Sequence, residues 1–137
     1  MINLYQMRQL MRRTIKIRWR IEQEMARATK ITSTLTGMPR GGSNHNQTEA
    51  SAITLTEIKE AYHETLDTLE QMQQALDPLI DTLDNPDDRA VMRLRYIRGY
   101  SPEDIAEGIH RTDRSVYYYL SRAEDQLARR YPDQVQK

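Results

Sequence analysis

The sequence contains no cysteine and no phenylalanine, and its 137 residues include only five glycines and five prolines. The lack of cysteine excludes disulfide bonds and thiolate metal ligands. The three histidines, His45, His63 and His110, do not have the spacing of metal ligands, so we expect no metal site. An abundance of Leu, Arg, Glu, Gln and Ala favours helices over strands. The composition therefore predicts an all-α protein.

Long apolar runs are also absent. No stretch approaches the roughly 20 apolar residues that a membrane-spanning helix needs. Charged residues interrupt every apolar stretch of the N-terminal segment MINLYQMRQLMRRTIKIRWR, unlike in a signal peptide. We therefore expect a soluble protein of the bacterial cytoplasm that makes no membrane contact.

The net charge is zero, but the two signs are separated along the chain. Residues 1–30 contain eight basic and two acidic residues, residues 31–85 contain two and nine, and residues 86–137 contain ten and nine. Such segregation needs a physical cause. The basic and acidic segments could pair as a hairpin within one chain or between two subunits, or the basic segment could bind phosphates. The sequence leaves these alternatives open.

The first 84 residues predict a helical hairpin or coiled coil. Apolar residues recur with a helical period over residues 3–30, at Leu4, Met7, Leu10, Met11, Ile17, Ile21 and Met25. Residues 37–52 are rich in Gly, Ser and Asn and predict a flexible linker. Residues 54–83 carry a heptad seam of Leu55, Ile58, Tyr62, Thr65, Leu69, Met72, Leu76, Leu79 and Leu83. Residues 1–84 are thus expected to form a homo-oligomer, a dimer or higher, with a kink or break near Asp77 where Pro78 follows.

Residues 85–137 predict a second domain with three helices. Asn85, Ser101 and Thr112 are helix-capping residues, and the first two precede a proline, which suits the first position of a helix. The three predicted helices run from 86 to 98, from 102 to 109 and from about 113 to 130. Since the last two helices are joined by a turn of about three residues and the second is longer, the pattern predicts a helix-turn-helix.

The third helix of this domain has one apolar and one polar face. Val116, Leu120, Ala123 and Leu127 form the predicted buried stripe. Arginines and tyrosines on the opposite face suit contacts with base edges and phosphates. Three consecutive tyrosines span about 200° of a helix, so at least one of them must be exposed. For the tyrosines, partial packing against the first helix of the domain is the alternative. The residues expected to face outward here are Asp113, Arg114, Tyr117, Tyr118, Ser121 and Arg122.

The segment LRYIRGYSPEDIAE (94–107), followed by Ser115-Val116 and by LSRAE (120–124), resembles region 4 of sigma-70-type factors. The layout of the whole chain resembles the small phage late-gene activators of the RinA/ArpU type. This resemblance implies a transcriptional activator of phage late or packaging genes. It also implies which residues contact DNA, namely Thr112, Arg114, Ser115, Tyr118 and Arg122, to which the residue pattern adds Arg111 and Tyr117.

The turn of the helix-turn-helix departs from the family pattern at two positions. His110 stands where the family usually has glycine, and Arg111 stands where it usually has an apolar residue. Histidine adopts the left-handed backbone conformation more readily than most residues other than glycine. Arg111 is expected to point towards a phosphate rather than into the core.

Double-stranded DNA is therefore the expected partner, and RNA polymerase is a further possible one. Two other functions compete with transcriptional regulation. The DNA-recognition subunit of a phage packaging machine also combines a helix-turn-helix with helical hairpins, but usually places the helix-turn-helix first. A protein-interaction module that binds RNA polymerase would suit a domain with so little net charge.

An enzyme is not expected, because there is no nucleophile–base pair and no Gly-rich phosphate loop. No catalytic residue and no cofactor are therefore predicted.

Overall fold

The computed structural model describes residues 1–37 and 43–137, and it describes side chains for residues 1–29 and 54–137. Five α-helices are described, α1 (Leu4–Gly37), α2 (Ser43–Ile80), α3 (Pro86–Met92), α4 (Pro102–Ile109) and α5 (Asp113–Arg130). A π-helical turn, Arg93–Ile97, follows α3 directly. Two strands of two residues each, β1 (Ile2–Asn3) and β2 (Val135–Gln136), pair in parallel. The predicted all-α class and the C-terminal three-helix arrangement are confirmed.

The first two helices are longer than the apolar pattern predicted. The first was expected to end near residue 30 and reaches Gly37, whereas the second was expected to begin at residue 54 and begins at Ser43. Apolar periodicity reports which side chains are buried, and helical backbone extends beyond them because polar and β-branched residues cost only a fraction of a kcal/mol each. In the predicted linker 37–52, residue 37 belongs to α1 and residues 43–52 belong to α2. Residues 38–42 lie outside the described residues.

The sequence predicted a kink or break of the second helix near Asp77, and no break occurs there. α2 runs through Pro78 and ends two residues later, at Ile80. Proline removes a single backbone donor and crowds the preceding turn. Because Pro78 lies in the last turn, few hydrogen bonds follow it, and the helix ends close behind it.

The chain forms two compact units. The first contains Met1–Met11 and Thr68–Lys137, and the second contains Arg12–Asp67. The domain boundary that the sequence placed at residues 84 and 85 therefore falls inside the first unit. The end of α2 and the first turns of α1 both belong with the C-terminal helices, because their apolar side chains are part of the same core.

The core of the first unit joins residues from both ends of the chain. Leu4 and Met7 of α1 are fully buried, and so are Leu76 and Ile80 of α2. They pack in one cluster with the apolar residues of the C-terminal helices, which include Val91, Met92, Tyr96, Ile105, Val116, Leu120 and Leu127. In the C-terminal half of the heptad seam, Leu69, Leu76 and Leu83 are thus buried within a single chain, and the half-buried Met72 and Leu79 pack against the same core. The buried leucines are not a free surface for a partner helix.

The second unit contains the rest of α1 and the first part of α2. Ile58 and Thr65 of the heptad seam are buried, whereas Leu55 and Tyr62 are half-buried. Thr65 is the only seam residue that is neither apolar nor aromatic, and its hydroxyl donates to the Ala61 carbonyl at 2.8 Å. Its burial therefore leaves no hydrogen-bonding group unsatisfied.

Candidate DNA-binding surface

Local capping residues set the start of each C-terminal helix. The Asn85 side chain accepts a hydrogen bond from the Asp87 backbone N–H at 2.9 Å. Ser101 Oγ accepts from the Asp104 N–H at 3.2 Å, and Thr112 Oγ1 accepts from the Ser115 N–H at 3.1 Å. These bonds satisfy N–H groups that the first turn of a helix leaves without partners. All three caps confirm the predicted starts.

The turn between α4 and α5 depends on His110. This residue has the left-handed conformation, with φ 57° and ψ 44°, as predicted from its place where the family usually has glycine. The Arg111 N–H donates back to the Ala106 carbonyl at 3.0 Å and closes the end of α4. The Arg111 side chain is exposed, which agrees with the prediction that it does not enter the core.

The buried side of α5 determines which residues remain accessible. Val116, Leu120, Ala123 and Leu127 are all buried, so the predicted stripe is confirmed. Among the described residues of the turn and α5, the exposed predicted contacts cluster at the N-terminal end of the helix. They are Arg111, Thr112, Arg114, Tyr117 and Tyr118. The helix therefore presents one cationic and aromatic edge beside its positive dipole end.

Arg122, which was predicted to face outward, is half-buried and held by an ion pair. Its guanidinium forms a bidentate pair with Asp88, with Nε at 2.9 Å from one carboxylate oxygen and Nη2 at 2.7 Å from the other. The Asp88 side chain is only 1% exposed, whereas that of Arg122 is 35% exposed. The carboxylate raises the pKa of Arg122 above its already high usual value through this hydrogen bonding. The pair ties α5 to the first turn of α3.

Ser115 and Thr112 serve mainly as a cap. Their hydroxyl oxygens are 2.8 Å apart, in addition to the capping bond from the Ser115 N–H. Ser115 is half-buried and Thr112 is exposed. The two residues thus fix the first turn of α5, and Thr112 is the more exposed of the two.

The three tyrosines of α5 have three different environments. Tyr119 is half-buried and packs against the core, whereas Tyr117 and Tyr118 are 51% and 60% exposed. The Tyr117 hydroxyl donates to a Glu103 carboxylate oxygen at 2.7 Å, which lowers the pKa of Glu103 and raises that of Tyr117. The Tyr118 ring lies 5.1 Å from the Arg122 guanidinium carbon. Tyr117 therefore bridges to α4, and Tyr118 forms the outer aromatic surface.

A buried polar network supports this arrangement, and the sequence analysis did not predict it. The Tyr96 hydroxyl donates to Glu124 Oε1 at 2.5 Å and accepts from Arg8 Nη1 at 2.8 Å. Burial raises the pKa of Tyr96, and the negative charge of Glu124 adds to this effect. Gln73 Nε2 donates to the Tyr96 carbonyl at 3.0 Å, within the π-helical turn. No local pattern reveals these contacts, since their partners are far apart in the sequence.

No group of three or more His, Asp or Glu side chains with metal-binding geometry occurs within residues 1–29 and 54–137. Among the described helices, none combines the length and apolar character required to cross a bilayer.

The geometry of α4, the three-residue turn and α5 defines a helix-turn-helix. Residues 73–127 match the family model described as Sigma-70, region 4. The segment is therefore a sigma-70 region 4-like helix-turn-helix, a DNA-binding domain, and the match begins within α2. No significant match is found among curated proteins, and none among solved structures.

Proposed function

We propose that this protein is a sequence-specific transcriptional regulator of phage or prophage origin, and that it activates late or packaging genes. The observation that carries the proposal is the exposed N-terminal edge of α5, where Arg114 and Tyr118 face solvent while the opposite stripe is buried. A recognition helix enters the major groove with its N-terminal residues at the base edges. The resemblance to the RinA/ArpU-type activators supports the phage origin and the direction of regulation.

Each exposed residue suits a different DNA group. Arg114, in the first turn of α5, can donate two hydrogen bonds to a guanine edge. Arg111 and Thr112 lie in the turn, where contacts to phosphate oxygens fix the register of the helix. Tyr118 offers an aromatic ring for a thymine methyl group. Arg122 acts as a positioning residue, because it holds Asp88 and lies against Tyr118.

In vitro selection tests the proposal without a known target. The full chain is incubated with a library of random duplexes, and the bound molecules are amplified and sequenced over several rounds. We expect enrichment of one short motif, and footprinting of that motif should show protection in the major groove. A library that stays random after selection, although the protein remains helical, would overturn sequence-specific binding.

The regulatory role requires a second measurement. Transcription in vitro with bacterial RNA polymerase from a promoter carrying the selected motif should increase when the protein is added. Bound DNA without any change in transcript level would contradict activation and favour the DNA-recognition subunit of a packaging machine. Capture of polymerase without DNA binding would instead favour the interaction module.

We also propose that the protein forms a homo-oligomer, and that its interface uses only part of the heptad seam. Leu55 and Tyr62 in the second unit are half-buried and remain partly available to a second copy. Two copies would supply two recognition helices for two half-sites. Light scattering on the full chain should show a dimer, and Leu55→Asp with Tyr62→Asp should give monomers. A wild-type monomer at micromolar concentration would contradict this part of the proposal.

A further inference from the structure

The first helix carries a row of exposed cations that the proposed function has not used. Arg12, Lys16 and Arg20, here called the basic stripe, are exposed and four residues apart. Successive positions of this kind differ by about 40° around the helix and by about 6 Å along it. The stripe therefore occupies one side of α1 over about 12 Å. Trp19, which is 62% exposed, lies beside it.

The basic stripe has no partner within the described side chains. The sequence analysis considered that the basic first helix might pair with the acidic second helix in the same chain. Among the side chains of residues 1–29 and 54–137, none forms an ion pair with Arg12, Lys16 or Arg20. Pairing with the described side chains of α2, residues 54–80, therefore does not explain why these three cations are present.

The first unit uses many of its own cations internally. Arg93 pairs with Asp77 and Asp81, and Arg130 pairs with Asp84. Arg8, Arg122 and Lys137 are also in ion pairs. Duplex DNA is bound largely through cations that neutralise phosphates and release counterions. The C-terminal segment 86–137, with ten basic and nine acidic residues, has little positive charge left to offer.

We infer that the basic stripe of α1 binds the phosphate backbone of duplex DNA and supplies sequence-independent affinity to the regulator. The inference rests on the proposed function, since it assigns a second contact to the same DNA partner. A second copy of the chain fits the stripe less well. Among the described side chains, only Ile15 and Trp19 are large, apolar and exposed beside these cations, whereas a stable protein interface buries about 800 Å² per partner. A polyanion needs no such apolar area.

The test replaces Arg12, Lys16 and Arg20 together by Gln in the full chain. Binding is measured by fluorescence anisotropy on a duplex of arbitrary sequence and on the selected duplex, over a series of salt concentrations. The slope of log affinity against log salt should decrease by about 0.9 per lost contact, or about 2.7 for three. Affinity at about 0.1 M salt should fall at least roughly tenfold on both duplexes, so their affinity ratio should stay unchanged.

A matched control removes the same charge elsewhere. Arg18, Lys59 and Arg129 are exposed, and Arg18 lies at least about 120° around α1 from each residue of the stripe. Replacement of these three residues by Gln should change the salt slope by much less than the stripe variant does. An equal effect of the two triple variants would show a general charge effect and would overturn the inference.

Trp19 gives an independent readout, because it is the only tryptophan of the chain. Its fluorescence should change when DNA is added, and the duplex should protect it from quenching by acrylamide. A fluorescence change on concentrating the protein without DNA, and none on adding DNA, would assign this surface to a second copy and overturn the inference.

The two proposals fail in different ways. If the wild type binds no duplex, the proposed function fails. If the wild type binds the selected duplex and the stripe variant keeps the same affinity and salt slope, only the inference fails.

Discussion

Several arginines of the first unit are paired with carboxylates, whereas, among the described residues, Arg12 and Arg20 of the second unit are not. In the first unit, Arg93, Arg122 and Arg130 pair with carboxylates of α2, α3 and the segment between them. In the second unit, Arg12 and Arg20 are exposed and form no ion pair within the described part of the chain. The comparison shows that a similar content of cations can serve two purposes. Paired cations connect the helices of a fold, whereas unpaired cations remain available to a polyanion.

The same contrast occurs within α5. Arg114 and Arg122 lie about 12 Å apart along one helix, and both were expected to face DNA. Arg114 is exposed, whereas Arg122 is bound to the buried Asp88. A variant of each arginine should therefore affect a different property of the protein.

Arg122→Ala is expected to destabilise the fold. The change leaves the Asp88 carboxylate buried without its cation, and loss of one partner of such a pair costs about 3–5 kcal/mol. The free energy of unfolding is measured by urea denaturation followed by circular dichroism. Arg129→Ala, an exposed change on the same helix, is the control and should alter stability by less than about 0.5 kcal/mol. Equal stability of Arg122→Ala and the wild type would refute the structural role.

Leu120→Ala should lower stability by about 2–5 kcal/mol, because it leaves a cavity in the core between α5 and its neighbours. Leu120 is 5% exposed and belongs to the core cluster of the first unit. Thermal unfolding should show a lower Tm. Ser121→Ala, at the next, exposed position, should leave the Tm nearly unchanged. A normal Tm for Leu120→Ala would contradict the packing of α5.

Tyr96→Phe should cost about 1–3 kcal/mol, since it removes hydrogen bonds to the buried Glu124 and to Arg8. The same residue should make stability depend on alkaline pH. Because the pKa of Tyr96 is higher in the folded than in the unfolded chain, its contribution is complete below about pH 10 and is lost as the pH rises beyond that value. Urea denaturation at about pH 8 and about pH 11 gives the decrease in the free energy of unfolding between these two pH values. This decrease should be smaller for Tyr96→Phe than for the wild type. An identical decrease in both proteins would show that Tyr96 does not cause the pH dependence.

The features that the sequence predicted are those that depend on neighbouring residues. The caps Ser101 and Thr112 and the left-handed His110 each act within one turn of the chain. The buried stripe of α5 was predictable because its period follows from helix geometry. These local features were sufficient to predict the helix-turn-helix and the side of α5 that remains exposed.

The features that the sequence did not predict depend on residues far apart. Asp88 and Arg122 are 34 positions apart in the sequence. The apolar period of α5 shows that Arg122 lies off the buried stripe, but it does not show that a carboxylate faces Arg122. The heptad seam likewise predicts that Leu69 and Leu76 are buried, but it does not show which residues cover them. Both belong to the core of the first unit, so they are buried by packing within one chain. The amphipathic pattern alone cannot distinguish that packing from an interface between subunits.

The ratio of affinities for the selected duplex and for a duplex of arbitrary sequence tests the central claim most directly. The claim is that Arg114, exposed and without an ion pair within the described residues, reads DNA sequence while the paired Arg122 holds the fold. For Arg114→Ala the ratio should fall by the equivalent of about 1–3 kcal/mol, as expected for a lost base contact. Its urea denaturation curve should match that of the wild type. If the ratio is unchanged and the fold is intact, Arg114 does not contact a base, which would contradict its assignment as a sequence-reading residue of the recognition helix α5.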